Sequence, residues 1–148
     1  MNWTEKKSIK LSMFCLYIFA GIIALIMVFI LKDFKYFFPL VFPLDIFSYL
    51  FLTLELCMGV GLVILFFLRR LIKNIENDVT FDEENINILR IISWLCFLEA
   101  AILLVSAIYF YPWLFLAGLA SFIGLIIRVI KNVFCQALLI KKENDFTI

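Results

Sequence analysis

The chain has no histidine, and its four cysteines, Cys15, Cys57, Cys96 and Cys135, stand far apart. Zinc sites and redox pairs need Cys-x-x-Cys spacing or mixed Cys/His clusters, so no metal centre is expected. Common acid–base mechanisms also lose their usual residue. The phosphate loop G-x-x-x-x-G-K-[ST], the dinucleotide G-x-G-x-x-G, the nucleophile elbow G-x-S-x-G and the metalloprotease H-E-x-x-H are all missing. Serines and threonines are few, and no base is placed to activate one. Neither a catalytic residue nor a cofactor is expected. Charge is scarce too: a net charge of +1 offers no basic surface for direct contact with nucleic acid.

Apolar side chains fill the chain instead. They make up 66% of 148 residues against 17% charged, more than one water-soluble domain can hide. A bilayer can hold them. The cysteines fall in or beside apolar runs, where a thiol acts as a small hydrophobe. Cys135 is the one placed for palmitoylation or a disulfide.

Four apolar runs, at about 11–31, 46–68, 91–111 and 113–131, are each long enough to cross about 30 Å of hydrocarbon. The first is not a cleaved signal, because LKDFKYFF follows it with no small-residue cutting site. Two short turns carry aromatic clusters suited to the membrane surface. One is Phe34, Tyr36, Phe37, Phe38 and Phe42 in 32–45, beside Pro39 and Pro43. The other is Tyr109, Tyr111 and Trp113 around Pro112. The expected fold is all-α: a single integral membrane domain, 1–148, built as a four-helix bundle.

Residues 69–90, RRLIKNIENDVTFDEENINILR, form the long charged connector. Leu68, Leu71, Ile72 and Ile75 recur at helical spacing and carry span two past the membrane surface. Asn77-Asp78 reads as a turn. Thr80 with Glu83 three residues on resembles a capping box, and Asp82, Glu83 and Glu84 suit a helix start. Ile86, Leu89 and Ile92 lead into span three. The connector therefore predicts a helical hairpin standing out of the membrane. Span four also continues apolar to Ile140 before a polar tail, 141–148.

Lysine and arginine fix the expected orientation. Residues 1–10 hold three, 69–90 four and 128–142 four, giving eleven on one face against Lys32 and Lys35 on the other. The positive-inside rule then places both termini and the connector in the cytosol, with the chain in the plasma membrane.

Three ionisable residues fall inside spans. Glu55 and Glu99 are expected about 14 and 18 Å below the outer boundary, and Arg128 about 22 Å below it. Such groups are costly in hydrocarbon and often functional. Two readings stand side by side: a proton-coupled sensor or small transporter built on Glu55 and Glu99, with a polar cavity between spans two and three, or carboxyls that only join helices. Arg128 either pairs with Glu99 or snorkels to the headgroups. Ala117, Ala120, Ser121 and Gly124 on span four, like Ala20 and Ala24 on span one, form small-residue faces for close packing within the chain or in a homo-oligomer.

The connector NDVTFDEENINILRII resembles that of a bacterial membrane family, the domain of unknown function 2975. Phe81, Glu84, Leu89, Arg90 and Ile91 fit its pattern. Glu143, Asn144, Asp145 and Thr147 are similar to its terminus, with Phe146 and Ile148 as conservative departures. The resemblance covers nearly the whole chain. It implies a small four-span membrane protein, often encoded beside a helix-turn-helix regulator, and it assigns no site residues. The function expected from it is a non-enzymatic regulatory or accessory protein. Phe81, Asp82, Glu83, Glu84 and Asn85 would dock a cytosolic protein partner; alternatively they only cap and close the hairpin.

Overall fold

A computed structural model describes residues 3–37, 44–77 and 80–146, with side chains over 7–30, 46, 48–77 and 80–144. Four helices account for nearly all of it: α1 Trp3–Phe37, α2 Leu44–Glu76, α3 Glu83–Ser106 and α4 Trp113–Phe146. Each is long and apolar enough to cross a membrane. In hydrocarbon a helix satisfies its backbone amides internally, which is why uninterrupted apolar runs take this form. The chain is a multi-pass, all-α membrane protein.

Helix length separates α3 from the rest. At 35, 33 and 34 residues, α1, α2 and α4 are about 50 Å long, well beyond the hydrocarbon thickness. At 24 residues, α3 is about 36 Å long and little more than spans it. Three boundaries depart from the sequence expectation. The first helix does not stop at 31 but runs on to Phe37, since no proline interrupts it before Pro39; residues 38–43 of the expected aromatic turn lie outside the described part. The third ends at Ser106, not near Tyr111. There the chain tightens into short-range bonds, Ile108 N to Val105 O and Tyr109 N to Ser106 O, before Pro112 restricts Tyr111. The fourth stays helical through Phe146, so most of the expected polar tail continues α4.

Among the described residues, backbones approach in chain order: α1 on α2, α2 on α3, α3 on α4. Helix α3 holds the middle. In its apolar window 39% of residues are buried, against 11%, 11% and 17% in α1, α2 and α4. Its Ile88, Leu89, Ile92 and Cys96 form the core with Leu71 of α2, flanked by Ile64 and Ile75 of α2 and Ile127 and Phe134 of α4. The α3–α4 crossing is closest at Gly124. A Cβ there would lie 3.2 Å from Cys96 Cβ and 3.4 Å from the Ser93 carbonyl oxygen, and the Ser93 hydroxyl donates to Gly124 O at 3.0 Å. The small-residue face of span four is thus used inside the chain, with Ala117 and Gly124 buried. By contrast α1 leaves Phe14, Phe19, Leu25 and Phe29 largely uncovered, as suits a helix solvated by lipid.

Candidate functional site

The connector folds into a compact head where the ends of α2 and α4 meet the start of α3. Leu71 and Ile75 turn inward from α2, and Ile88, Leu89 and Ile92 answer from α3. Asn85 is fully buried among them. Its Oδ1 accepts from Asn74 Nδ2 at 2.8 Å, and its Nδ2 donates to the Thr80 carbonyl at 2.9 Å. A buried amide is tolerable only when both ends are satisfied, and here both are.

Two ion pairs close the rim. Arg70 reaches Glu84 through Nη2 at 2.6 Å and Nε at 2.8 Å, tying α2 to α3. Lys142 Nζ donates to Glu83 Oε1 at 2.8 Å, tying α4 to α3. That hydrogen bond, with the Glu83 charge, raises the Lys142 pKa above its ordinary value. All four side chains are largely hydrated, so each pair orients helices more than it stabilises them. Phe81 stacks obliquely on Phe134 of α4, with ring centroids 5.3 Å apart, yet stays 41% exposed.

The expected docking residues therefore divide. Asn85 is internal and shapes the head. Phe81, Glu83 and Glu84 each have a partner within the chain while keeping an open face, and Asp82 is half-buried beside them. The capping box expected from Thr80 and Glu83 does not form. Asp82 occupies the N-cap with extended backbone and no side-chain cap bond, and Thr80 lies outside the helix. The amide of Asn85 takes the Thr80 carbonyl while Phe81 is held on α4, which sets the helix start two residues later.

Among the described residues the three intramembrane groups make no hydrogen bond or ion pair with one another. Glu55 Oε1 is buried with no hydrogen-bond partner among the described residues. Glu99 lies within electrostatic reach of Cys57 on α2 and Cys96 on α3. No hydrogen bond or ion pair among the described residues joins the two carboxylates, or Glu99 to Arg128. Ending α3 at Ser106 also moves Glu99 to about 10 Å from the helix end. Arg128 instead sits over the Trp94 ring, 5.3 Å from its centroid. A groove of about 370 Å³ runs between α3 and α4. Phe97, Leu104, Leu114 and Ala117 help line it, and Ser121 is its sole polar side chain. Among the described residues no three of His, Cys, Asp and Glu group as metal ligands, and the four cysteines are free.

A second polar cluster has no counterpart in the sequence reading. Thr53, 3% exposed, donates to Tyr49 O at 3.0 Å and meets the hydroxyls of Ser106, at 2.9 Å, and of Tyr109. Tyr109 in turn donates to Tyr49 O at 3.1 Å, with the two tyrosine rings 5.7 Å apart. This staples the far end of α2 to the end of α3. The spacing along the chain is more than fifty residues, so no local pattern marks it.

Residues 10–148 match the family described as "Protein of unknown function (DUF2975)". No curated protein and no solved structure matches the chain.

Proposed function

We propose, from the premise that this chain belongs to the DUF2975 family, that it is a non-enzymatic regulatory or accessory protein of the bacterial plasma membrane. Both termini and the head lie in the cytosol, where the head holds a protein partner. The observation that carries this reading is the buried Asn85 network. It fixes α2, α3 and the connector into one shape beside Asp82, Glu83 and Glu84. Glu83 and Glu84 are paired with Lys142 and Arg70, so basic groups of a partner would meet Asp82 and the open faces of those pairs, with Phe81 supplying an apolar contact. A partner with a basic surface fits that rim, and a small helix-turn-helix regulator is the first to test.

The experiment is photo-crosslinking from the exposed position 87 in native membranes, compared between the parent chain and Phe81→Ala with Asp82→Lys. Both changes leave Asn85 and the two ion pairs in place. The reading expects one cytosolic protein to attach to the parent and be lost from the variant. A variant that folds and retains every cytosolic partner refutes it.

A second reading, a proton-coupled sensor or small transporter, is favoured by the unpartnered buried oxygen of Glu55. It expects ion flux in liposomes that falls with Glu55→Gln and with Glu99→Gln. Unchanged flux in both variants removes it.

A further inference from the structure

Arg90 and Trp94 of α3 face Arg128 and Lys131 of α4 across a small cavity of about 60 Å³, floored by Ser93. The crossing at Gly124 creates it. With no side chain, Gly124 lets α4 come this near Ser93 and Cys96 without displacing either, and one turn beyond it the guanidinium of Arg128 lands over Trp94. Three cations then share one opening. No carboxylate lines it, and among the described residues none of the three forms a salt bridge. Like charges held together repel, so the cluster is stabilised by an anion between them. Elsewhere on the same end of the molecule Arg70 and Lys142 are neutralised by glutamates, whereas here three cations share one opening.

Depth identifies the anion. Arg128 and Lys131 lie about 22 and 27 Å along α4 from Trp113, so their long side chains reach the edge of about 30 Å of hydrocarbon by snorkelling. Trp94 is exposed there, as interfacial tryptophans are. What occupies that level is the phosphate layer of the leaflet. Guanidinium groups match phosphate oxygens in fork geometry, and basic pockets between spans suit anionic headgroups. We propose that Arg90, Arg128 and Lys131 form a phosphate-binding site, filled by the headgroup of an anionic phospholipid and anchored beside Trp94. The cavity is small, so it takes the phosphate while the glycerol and acyl chains lie along the α3–α4 surface.

The test uses the full chain in nanodiscs of phosphatidylcholine containing phosphatidylglycerol with brominated acyl chains. Trp3→Phe and Trp113→Phe leave Trp94 as the fluorescence reporter. Quenching should exceed that in discs where the brominated lipid is phosphatidylcholine at the same fraction. Arg90→Gln, Arg128→Gln and Lys131→Gln should each lower the preference for the anionic lipid about fivefold. Arg128→Lys should lose less than Arg128→Gln, which separates charge from fork geometry, and unchanged helicity in every variant excludes loss of fold. Arg69→Gln is the control: Arg69 is exposed on the same end but stacks on Tyr17, 5.5 Å from its ring centroid. Equal quenching by both lipids overturns the proposal, as does an equal loss with Arg69→Gln, which would reduce the effect to general surface charge. Inorganic phosphate is added in a further arm. If it displaces the lipid at low concentration, the site belongs to a soluble anion and the lipid assignment fails; persistence of the lipid signal upholds it.

Discussion

At the connector end α2 meets α3 through Asn74, Asn85, Arg70 and Glu84; at the turn end the same helices meet through Thr53, Ser106 and Tyr109. The first joint uses an amide pair and a hydrated ion pair. The second uses neutral groups alone: hydroxyls, the Tyr49 carbonyl and the Tyr49–Tyr109 ring pair. Water near the connector keeps charges inexpensive, whereas at the hydrocarbon edge a hydroxyl can satisfy itself on its own helix, as Thr53 does on Tyr49 O. The joints also differ in what their loss exposes. Removing Thr53 Oγ1 leaves Tyr109 still bonded to Tyr49 O, while removing the Asn85 amide takes the partner from both half-buried Asn74 and the Thr80 carbonyl.

Substitutions can break or sharpen that contrast. The largest expected effect comes from the apolar core between the joints: Ile92→Ala, at a position 2% exposed, should cost about 3 kcal/mol of stability in detergent unfolding. Asn85→Ala should follow at about 2 kcal/mol, because Asn74 Nδ2 and Thr80 O lose a buried partner. Thr53→Val should cost about 1 kcal/mol, in line with hydrogen bonds between membrane helices. If Thr53→Val proves the more damaging of those two, the turn-end hydroxyls, not the head, hold α2 to α3.

The smallest effect is a pH response. The Lys142 pKa is raised in the folded chain, so its bond to Glu83 contributes below the ordinary lysine value of 10.5 and is lost as pH rises through the raised value. Spin labels at Asp82→Cys and Lys141→Cys, in a chain whose own cysteines are replaced, should report α4 parting from the connector in that alkaline range. Lys142→Gln should abolish the transition. A separation that instead changes near neutrality would assign it to other groups.

Much of this was legible in the residues. The apolar runs marked four helices long enough to span, and the spacing of Leu71, Ile75, Ile86, Leu89 and Ile92 foretold a helical hairpin, whose inner face the structure makes apolar. Ala117 and Gly124 signalled close packing, and α3 takes it up. The role of Asn85 was hidden. Asparagine beside acids reads as surface, and its burial depends on Asn74 coming from another helix. The joint of Thr53 with Ser106 and the group of Arg90, Trp94, Arg128 and Lys131 likewise exist only once helices cross, since their members are far apart in the chain. The Thr80 capping pattern misled because tertiary contacts at Asn85 and Phe81 overrode the local signal. Glu55 and Glu99 looked paired by depth alone, but depth says nothing of the direction in which each side chain leaves its helix.

The account rests on lipid surrounding all four helices, with the connector and the end of α4 emerging together. Single cysteines at Asn77, Tyr111, Asn144 and Leu98, placed in a chain lacking its own four and probed with a membrane-impermeant maleimide in sealed vesicles, test this directly. Asn77→Cys and Asn144→Cys should label from one side, Tyr111→Cys from the other, and Leu98→Cys from neither. Labelling of Tyr111→Cys from the same side as Asn77→Cys, or ready labelling of Leu98→Cys, would contradict it.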